Sequence, residues 1–151
     1  MPTLVLFSAY ATFAIAAGAS FVVQGVANSR LSAGLGSGYW AAFFSYLGGT
    51  IVMLSVIVAT RTAWPAGALA RPPLLAWTGG FWGAIYVVAI ILLMPRLGAA
   101  TVIALLVAGQ MLAALVFDNF AALGLPQYPL DVSRLVGAAL LVGGVVLIRA
   151  G

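Results

Sequence analysis

Five long apolar segments, each close to the length of a membrane-spanning helix, limit what this chain can fold into. A helix needs roughly 20 consecutive apolar residues to cross the hydrocarbon core of a bilayer. Charged residues make up only 5% of the chain, whereas they make up roughly 25% of soluble domains. The predicted spans are about Leu4–Val26, Tyr39–Thr60, Leu74–Met94, Gly98–Phe117 and Val132–Ile148.

The segments between these spans are polar or rich in glycine and proline, so "ANSRLSAGLGSG", "RTAWPAGALARPP" and "LPQYPLD" are predicted to be loops. The break at "MPRLG" leaves room only for a tight turn, which predicts that the third and fourth helices form an antiparallel hairpin. Lipid offers no partner to backbone groups, so each span must form its own helical hydrogen bonds. The sequence predicts an all-α integral membrane protein, with residues 1–151 in a single transmembrane domain.

The opening "MPTLVLFSAYATFAIAAGA" also has features of a secretory signal peptide, because small residues around Ala14 and Ala16 resemble a cleavage site. No positive charge precedes the apolar run, and the run continues to Val26. A retained first span is therefore the simpler interpretation.

Several function classes are disfavoured by composition. The chain has no cysteine and no histidine, which excludes disulfide scaffolds and imidazole chemistry and leaves no expected metal or cofactor. No nucleophile and base constellation is evident, so an enzyme is not expected. The positive charges are scattered single arginines rather than a basic surface, so nucleic acid is not an expected partner.

The arginines give the chain no clear orientation in the membrane. With five spans, three arginines fall on each side, whereas the positive-inside rule needs an excess on one side. The chain is either oriented by small differences or inserted both ways as an antiparallel homodimer, which suits an odd number of helices. One side holds Arg30, Arg96 and Arg149, and the other holds Arg61, Arg71 and Arg134.

Polar side chains within the first two spans are candidates for a substrate site. Ser20, Gln24 and Asn28 are spaced four apart and form one stripe along the first helix. Such a stripe either lines an aqueous vestibule or packs against another polar helix. In the second helix, Ser45 and Tyr46 lie near the middle of the membrane.

The third and fourth helices supply the deepest polar groups. Trp82 and Tyr86 lie one turn apart, away from the interfacial belts where these aromatics usually occur. Gln110 lies within roughly 4 Å of the middle of the fourth helix. The aromatic pair either lines a substrate pocket or packs between helices, and Gln110 either binds a neutral or zwitterionic ligand or bonds another helix.

Asp118 is one of only two acidic residues, and its position near the end of the fourth helix allows it to stay hydrated. Capping, loop anchoring or gating is favoured there over proton exchange in mid-membrane. Arg96 and Arg134, also at helix ends, are assigned to the same gating or anchoring group. Because no acid occurs between Leu4 and Phe117, any pH dependence of transport is expected to be modest or traceable to Asp118.

Glycines mark candidate packing faces. Gly79 and Gly83 are four apart and are expected to let a neighbouring backbone approach closely. Gly137, Gly143 and Gly144 on the fifth helix are expected to form a groove for helix packing within or between chains.

The second half of the chain resembles the YdcZ-like family of small five-helix proteins in the drug/metabolite transporter superfamily. The similarity rests on "PRLGAAT" from Pro95, "GQM" from Gly109, Asp118, the "LGLPQYPL" loop and Arg134, with looser agreement at Gln24, Asn28 and "SYLGGT" from Ser45. The resemblance implies a transporter of the inner (plasma) membrane. It also implies single chains of dual topology, paired chains of opposite topology or fused inverted repeats.

The last helix also resembles the glycine-bearing terminal helix of the small multidrug resistance proteins, where that helix helps to form the dimer. Those relatives use a glutamate in the first helix for proton and cation exchange, whereas the first helix of this chain has no acid. The leading hypothesis is a small-molecule transporter with its pocket between two inverted subunits. A passive channel and a non-transporting membrane assembly subunit are the alternatives.

Overall fold

Five helices account for most of the chain in the computed structural model, which describes residues 2–69 and 71–150, and no side chain at 2–5 or 123. They are α1 (Pro2–Leu35), α2 (Gly38–Ala59), α3 (Gly79–Leu97), α4 (Ala99–Asn119) and α5 (Val132–Ala150). Short 3₁₀ turns occupy Ala66–Ala68, Leu74–Thr78 and Ala122–Gly124. The described chain contains five helical stretches long and apolar enough to cross a membrane, so the predicted all-α class is confirmed.

The chain falls into two compact units, Met1–Arg96 with α1 to α3 and Leu97–Gly151 with α4 and α5. The single transmembrane domain expected over residues 1–151 stays a prediction, as do the hairpin of α3 with α4 and the homodimer. Met1, Ala70 and Gly151 lie outside the described residues.

The first helix is longer than its apolar pattern suggested. It continues to Leu35, through most of the segment that was predicted to be a loop from Ala27. That segment contains no proline, so nothing in its backbone ends the helix before Gly36, and its polar side chains mark the end of the apolar surface instead. Polarity alone was a poor indicator of where this helix stops.

A two-residue turn, Gly36 and Ser37, joins α1 to α2. Gly36 has a φ of 65°, a left-handed conformation that glycine adopts without steric cost. The Ser37 N–H donates to the Ser32 carbonyl at 3.2 Å, which closes the Schellman motif at the end of α1. The Ser37 hydroxyl then accepts the Trp40 N–H at 3.4 Å and caps α2. The two helices therefore run antiparallel.

Contacts of α3 with α1 and α2 complete the first unit. A Cβ atom at Gly25 would lie 2.8 Å from both Ile90 and Met94 side chains, so glycine allows α1 to approach α3 closely. Between α2 and α3, the buried cluster consists of Ala41, Ala42, Val87 and Ile91. Small residues on one helix and branched residues on the other thus form the core of this unit.

The third helix passes through Pro95 and ends at Leu97, three residues beyond its predicted end at Met94. Proline has no N–H to donate to the Ile91 carbonyl, and the loss of a single bond in a last turn is tolerated. Gly98 alone separates α3 from α4, with φ 80° and ψ 154°. That combination is essentially restricted to glycine.

In the second unit α4 packs against α5, and a longer connection joins their ends. It includes the predicted "LPQYPLD" loop, which has no regular structure from Leu125 to Asp131. Ala121, just before it, has a φ of 49°, which is uncommon for a residue with a side chain. The polar residues around this connection explain how it is held.

Candidate functional site

Gln24, Asn28 and Ser45 meet between α1 and α2. The Asn28 amide nitrogen donates to the Ser45 hydroxyl oxygen at 3.0 Å, and the Gln24 amide nitrogen donates to the same oxygen at 3.4 Å. Asn28 is only 7% exposed, whereas Gln24 is exposed. We call these three residues the amide cluster. Both amide contacts are with a polar side chain of α2, which is the packing role of the two considered for the polar stripe.

The third residue of that stripe, Ser20, lies apart from the cluster. Its hydroxyl donates to the Ala17 carbonyl of its own helix at 2.7 Å. A serine that bonds its own backbone satisfies its donor without a partner helix. Equal spacing along α1 thus did not give equal roles.

The shared acceptor of the amide cluster, Ser45, lies within the apolar part of α2. Ser45 is three to four residues from the middle of α2, which corresponds to roughly 5 Å of helical rise. Hydrogen bonds at this depth satisfy amides that hydrocarbon could not solvate, and interhelical bonds of this kind contribute about 0.6 kcal/mol on average.

Tyr46, the next residue of α2, reaches Gly83 on α3. A Cβ atom at Gly83 would lie 2.5 Å from the Tyr46 hydroxyl oxygen, so the absence of a side chain at Gly83 makes room for the phenol. The sequence predicted that a backbone would approach Gly83, and the structure places a side-chain hydroxyl there. Among the residues that the structure describes, no atom of another element lies within 4 Å of the corresponding position at Gly79.

The two aromatic site candidates of α3 have different partners. Tyr86 is half-buried, and its ring meets that of Phe21 edge to face at 5.8 Å between centroids. Trp82 is 62% exposed, and its indole N–H donates to the Thr78 hydroxyl one turn earlier at 3.2 Å. The tyrosine belongs to the interior of the first unit, while the tryptophan faces outward.

Gln110 lies one residue from the midpoint of α4 and is exposed. Within the described part of the chain, no polar group forms a hydrogen bond with its side chain. An amide without a partner at this depth is costly in hydrocarbon. Within the second unit, the Gln110 amide is therefore left without the partner that an apolar environment requires.

Asp118 and Arg134 form an ion pair at the α4–α5 connection, with 3.3 Å between their nearest side-chain oxygen and nitrogen atoms. The Arg134 guanidinium also donates to the Tyr128 carbonyl at 3.1 Å and lies 5.4 Å from the centre of the Tyr128 ring. The Tyr128 N–H in turn donates to the Asp118 carbonyl at 2.9 Å. These contacts tie the loop to the ends of both helices.

Further residues that the sequence analysis did not single out complete this connection. The Asn119 side-chain oxygen accepts the Leu130 N–H at 3.1 Å, and the Gln127 side chain donates to the Asn119 carbonyl at 2.9 Å. Asp131 caps α5 by accepting the Arg134 N–H at 2.8 Å. We call Asp118, Asn119, Tyr128, Asp131 and Arg134 the loop clamp.

Within the loop clamp, the hydrogen bond from the Arg134 N–H lowers the pKa of Asp131 below its ordinary value of 3.8, with a smaller contribution from the Ser133 hydroxyl. The pattern "DVSR" before an apolar helix is typical of such a cap. It is the signal that could have identified this residue from the sequence.

The remaining candidates lie on exposed surfaces. Arg96 is exposed in the last turn of α3 and makes no ion pair within the residues that the structure describes. At Gly137, Gly143 and Gly144, no described atom beyond the helix's own neighbouring backbone lies within 4 Å of the position a Cβ would take. These glycines are open to whatever covers α5.

The comparison with protein families gives a match over residues 9–147, to the family described as "Putative inner membrane exporter, YdcZ". The matched range includes residues from all five helices, and the amide cluster, Gln110 and the loop clamp all fall inside it. No curated protein and no solved structure matches the chain.

Proposed function

Because the chain belongs to the YdcZ family of inner membrane exporters, we propose that it exports a small molecule through a pocket shared by two oppositely inserted copies. The family match and the five apolar helices make it a multi-pass inner membrane protein of transporter type. The pocket, the dimer and the mechanism are the parts that we propose.

The observation that carries this proposal is the exposed amide of Gln110 near the middle of α4, which has no hydrogen-bond partner among the described residues. Lipid cannot solvate an amide, so Gln110 faces either another protein surface or a substrate. An in-plane two-fold axis near the middle of the membrane would bring the Gln110 side chains of two inverted copies towards each other. Polar groups at the bilayer midplane, between inverted repeats, are where many transporters bind substrate.

Two further features support an inverted pair. Three arginines on each side allow both orientations to insert, and an odd number of helices inverts the next copy in a fusion. The open glycines of α5, Gly137, Gly143 and Gly144, offer a surface on which a second chain can pack closely. We propose that this surface forms the dimer contact.

The aromatic side chains of the first unit, Tyr46, Trp82 and Tyr86, are proposed as further substrate contacts, with Gln24 and Asn28 nearer one entrance. Two inverted copies can exchange conformations, and the two asymmetric states that result are equivalent, one open to each side of the membrane. Alternating access then needs no separate gate for each side. The tight hairpin of α3 and α4 is part of the same proposal, supported by the one-residue connection at Gly98.

The dimer is tested by fixing the orientation of each copy. Lysines added to the loops of one side give one variant, and lysines added to the other side give its opposite. With different affinity tags, oppositely biased variants should co-purify, and two copies of the same biased variant should not. Equal recovery of like and opposite pairs would contradict the antiparallel dimer.

The pocket is tested by uptake of radiolabelled neutral and zwitterionic metabolites into inside-out membrane vesicles. Gln110→Leu should abolish protein-dependent uptake while the oppositely biased variants still co-purify. The matched control is Gln127→Leu, the same change in the α4–α5 loop, which should retain uptake. If vesicles with and without the protein accumulate every compound equally, the exporter proposal is wrong.

A further inference from the structure

The amide cluster leaves hydrogen-bonding groups of Gln24 and Asn28 unpaired, which points to the chemistry of a ligand. Both amide nitrogens donate to the single oxygen of Ser45. Among the described residues, no N–H or O–H group donates to the side-chain carbonyl oxygen of Gln24 or of Asn28. Two carbonyl acceptors therefore remain without a donor, and each amide nitrogen keeps a second N–H that Ser45 does not accept.

A carbonyl oxygen stays unpaired whichever end of each amide is taken as nitrogen. The Ser45 hydroxyl has one hydrogen, so it can donate to only one of the two amides. If one amide were turned over, the other would still have to donate to Ser45. At least one carbonyl oxygen is left unpaired in every arrangement, and Gln24, which is exposed, can present that oxygen to a ligand.

The surroundings of the cluster decide the charge of that ligand. No acidic residue occurs before Asp118, so a cation bound here would lie in the span without a counterion, at a high cost in desolvation. An anion would face a similar cost of desolvation, and it could accept from the spare amide N–H groups but not from the carbonyl oxygens, which would repel it. A neutral molecule with N–H or O–H groups meets neither difficulty.

Aromatic side chains on the neighbouring turns favour a flat apolar body on the same molecule. Phe21 lies one turn before Gln24 and packs edge to face with Tyr86. Tyr46 follows Ser45 directly and is partly exposed. Rings of this kind pack well against a planar ligand.

We infer that the amide cluster binds a neutral, planar molecule that donates hydrogen bonds to the Gln24 and Asn28 carbonyl oxygens. The inference rests on the proposed function, since it names the class of substrate that the exporter takes. A primary carboxamide on an aromatic ring is the simplest member of this class.

A series of four probes of nearly one shape tests the inference on purified protein in nanodiscs. Benzamide is neutral and donates, N,N-dimethylbenzamide is neutral without a donor, benzamidinium is a donating cation, and benzoate is an anion. Benzamide should bind about fivefold to tenfold more tightly than its dimethyl analogue, the effect of a lost hydrogen bond, and more tightly than either ion.

Variants connect this preference to the amide cluster. Gln24→Met removes the amide from an exposed position and should reduce the preference for benzamide over the dimethyl analogue, as should Asn28→Leu. Ser55→Ala, which removes a hydroxyl bonded to the Ile51 carbonyl of its own helix, should leave it unchanged. Asn28 is buried, so Asn28→Leu is the variant at risk of failing to fold for structural reasons. In that case the result for Gln24→Met alone tests the inference.

Equal binding of benzamide and its dimethyl analogue, no binding of any probe, or a preference that survives the variants would overturn the inference. Binding is measured without transport, so the two proposals can fail separately. If the protein shows no preference for benzamide over its dimethyl analogue but uptake still depends on Gln110, only the inferred ligand class is wrong. If benzamide is clearly preferred but the vesicles show no protein-dependent uptake, only the proposed exporter pocket is wrong.

Discussion

The amide cluster and the loop clamp both join neighbouring helices through polar side chains, but they use different chemistry. The amide cluster consists of neutral groups inside the span, and Asn28 is 7% exposed. The loop clamp contains charged groups at helix ends, where Asp118 and Arg134 each keep 31% of their side chains exposed. The cost of desolvation separates the two, because a charge at mid-membrane depth costs several times more than an amide does.

The largest expected effect comes from placing a charge in the amide cluster. Asn28→Asp would put a carboxylate at a buried position in the span, so the free energy of unfolding should fall by about 3 kcal/mol. Unfolding by denaturing detergent, starting from mild detergent micelles, measures this change.

The same substitution in the loop clamp is the matched control. Asn119→Asp keeps the side-chain oxygen that accepts the Leu130 N–H and lies at the helix end, so its effect should stay below about 0.5 kcal/mol. Equal losses at both positions would break the comparison, since depth would then not explain the difference.

An intermediate effect is expected where neutral packing is tightest. Gly83→Ala would bring a methyl group to within 2.5 Å of the Tyr46 hydroxyl oxygen, so Tyr46 must shift, at a cost of about 1 kcal/mol. Tyr46→Phe removes the closest atom and should restore most of the stability in the double variant.

Gly79→Ala is the control on the same helix, because no described atom outside the neighbouring backbone lies within 4 Å of its new methyl group. The comparison is made by thermal unfolding of the unchanged protein, the three single variants and the double variant. If Gly83→Ala unfolds at the same temperature as Gly79→Ala, the close contact with Tyr46 does not constrain α3.

A smaller effect is expected when the ion pair of the loop clamp is removed. Asp118→Asn should lower the free energy of unfolding by less than about 1 kcal/mol, because partly exposed ion pairs are screened by water and salt. The loss should shrink further at high salt. A salt-independent loss of several kcal/mol would show that this pair is not hydrated.

The smallest effect, absent at neutral pH, concerns Asp131. Its pKa is lowered by the Arg134 N–H, so the carboxylate stabilises the start of α5 above the ordinary pKa of 3.8. That contribution is lost as the pH falls through the lowered pKa. Hydrogen exchange of the Arg134 amide should therefore accelerate only in acid.

Asp131→Asn can still cap the helix but cannot titrate, so it should remove the acid dependence of this exchange. The same acid dependence in Asp131→Asn would assign it to another group.

The apolar pattern was enough to predict five helices and the two long connections, because proline and glycine interrupt the chain there. It failed at the end of α1, where polar residues continue the helix and two residues make the turn. That turn sets the register that brings Ser45 to Asn28, so the spacing of Gln24 and Asn28 indicated a polar face without its partner. The contacts of Phe21 with Tyr86 and of Tyr46 with Gly83 depend on how three helices pack, which periodicity within one helix does not encode.

The residues Gly36 and Ser37 also set how much length variation the gene can tolerate. Ser37 acts three times, through its N–H to Ser32, its hydroxyl to Trp40 and its carbonyl to Ala41. A codon inserted here would turn one helix by about 100° against the other and separate Asn28 from Ser45. In-frame insertions should therefore be purged at this turn and accumulate in the Arg61–Pro73 connection, which is also where an epitope tag or a fluorescent reporter can be inserted without changing the register of any helix pair.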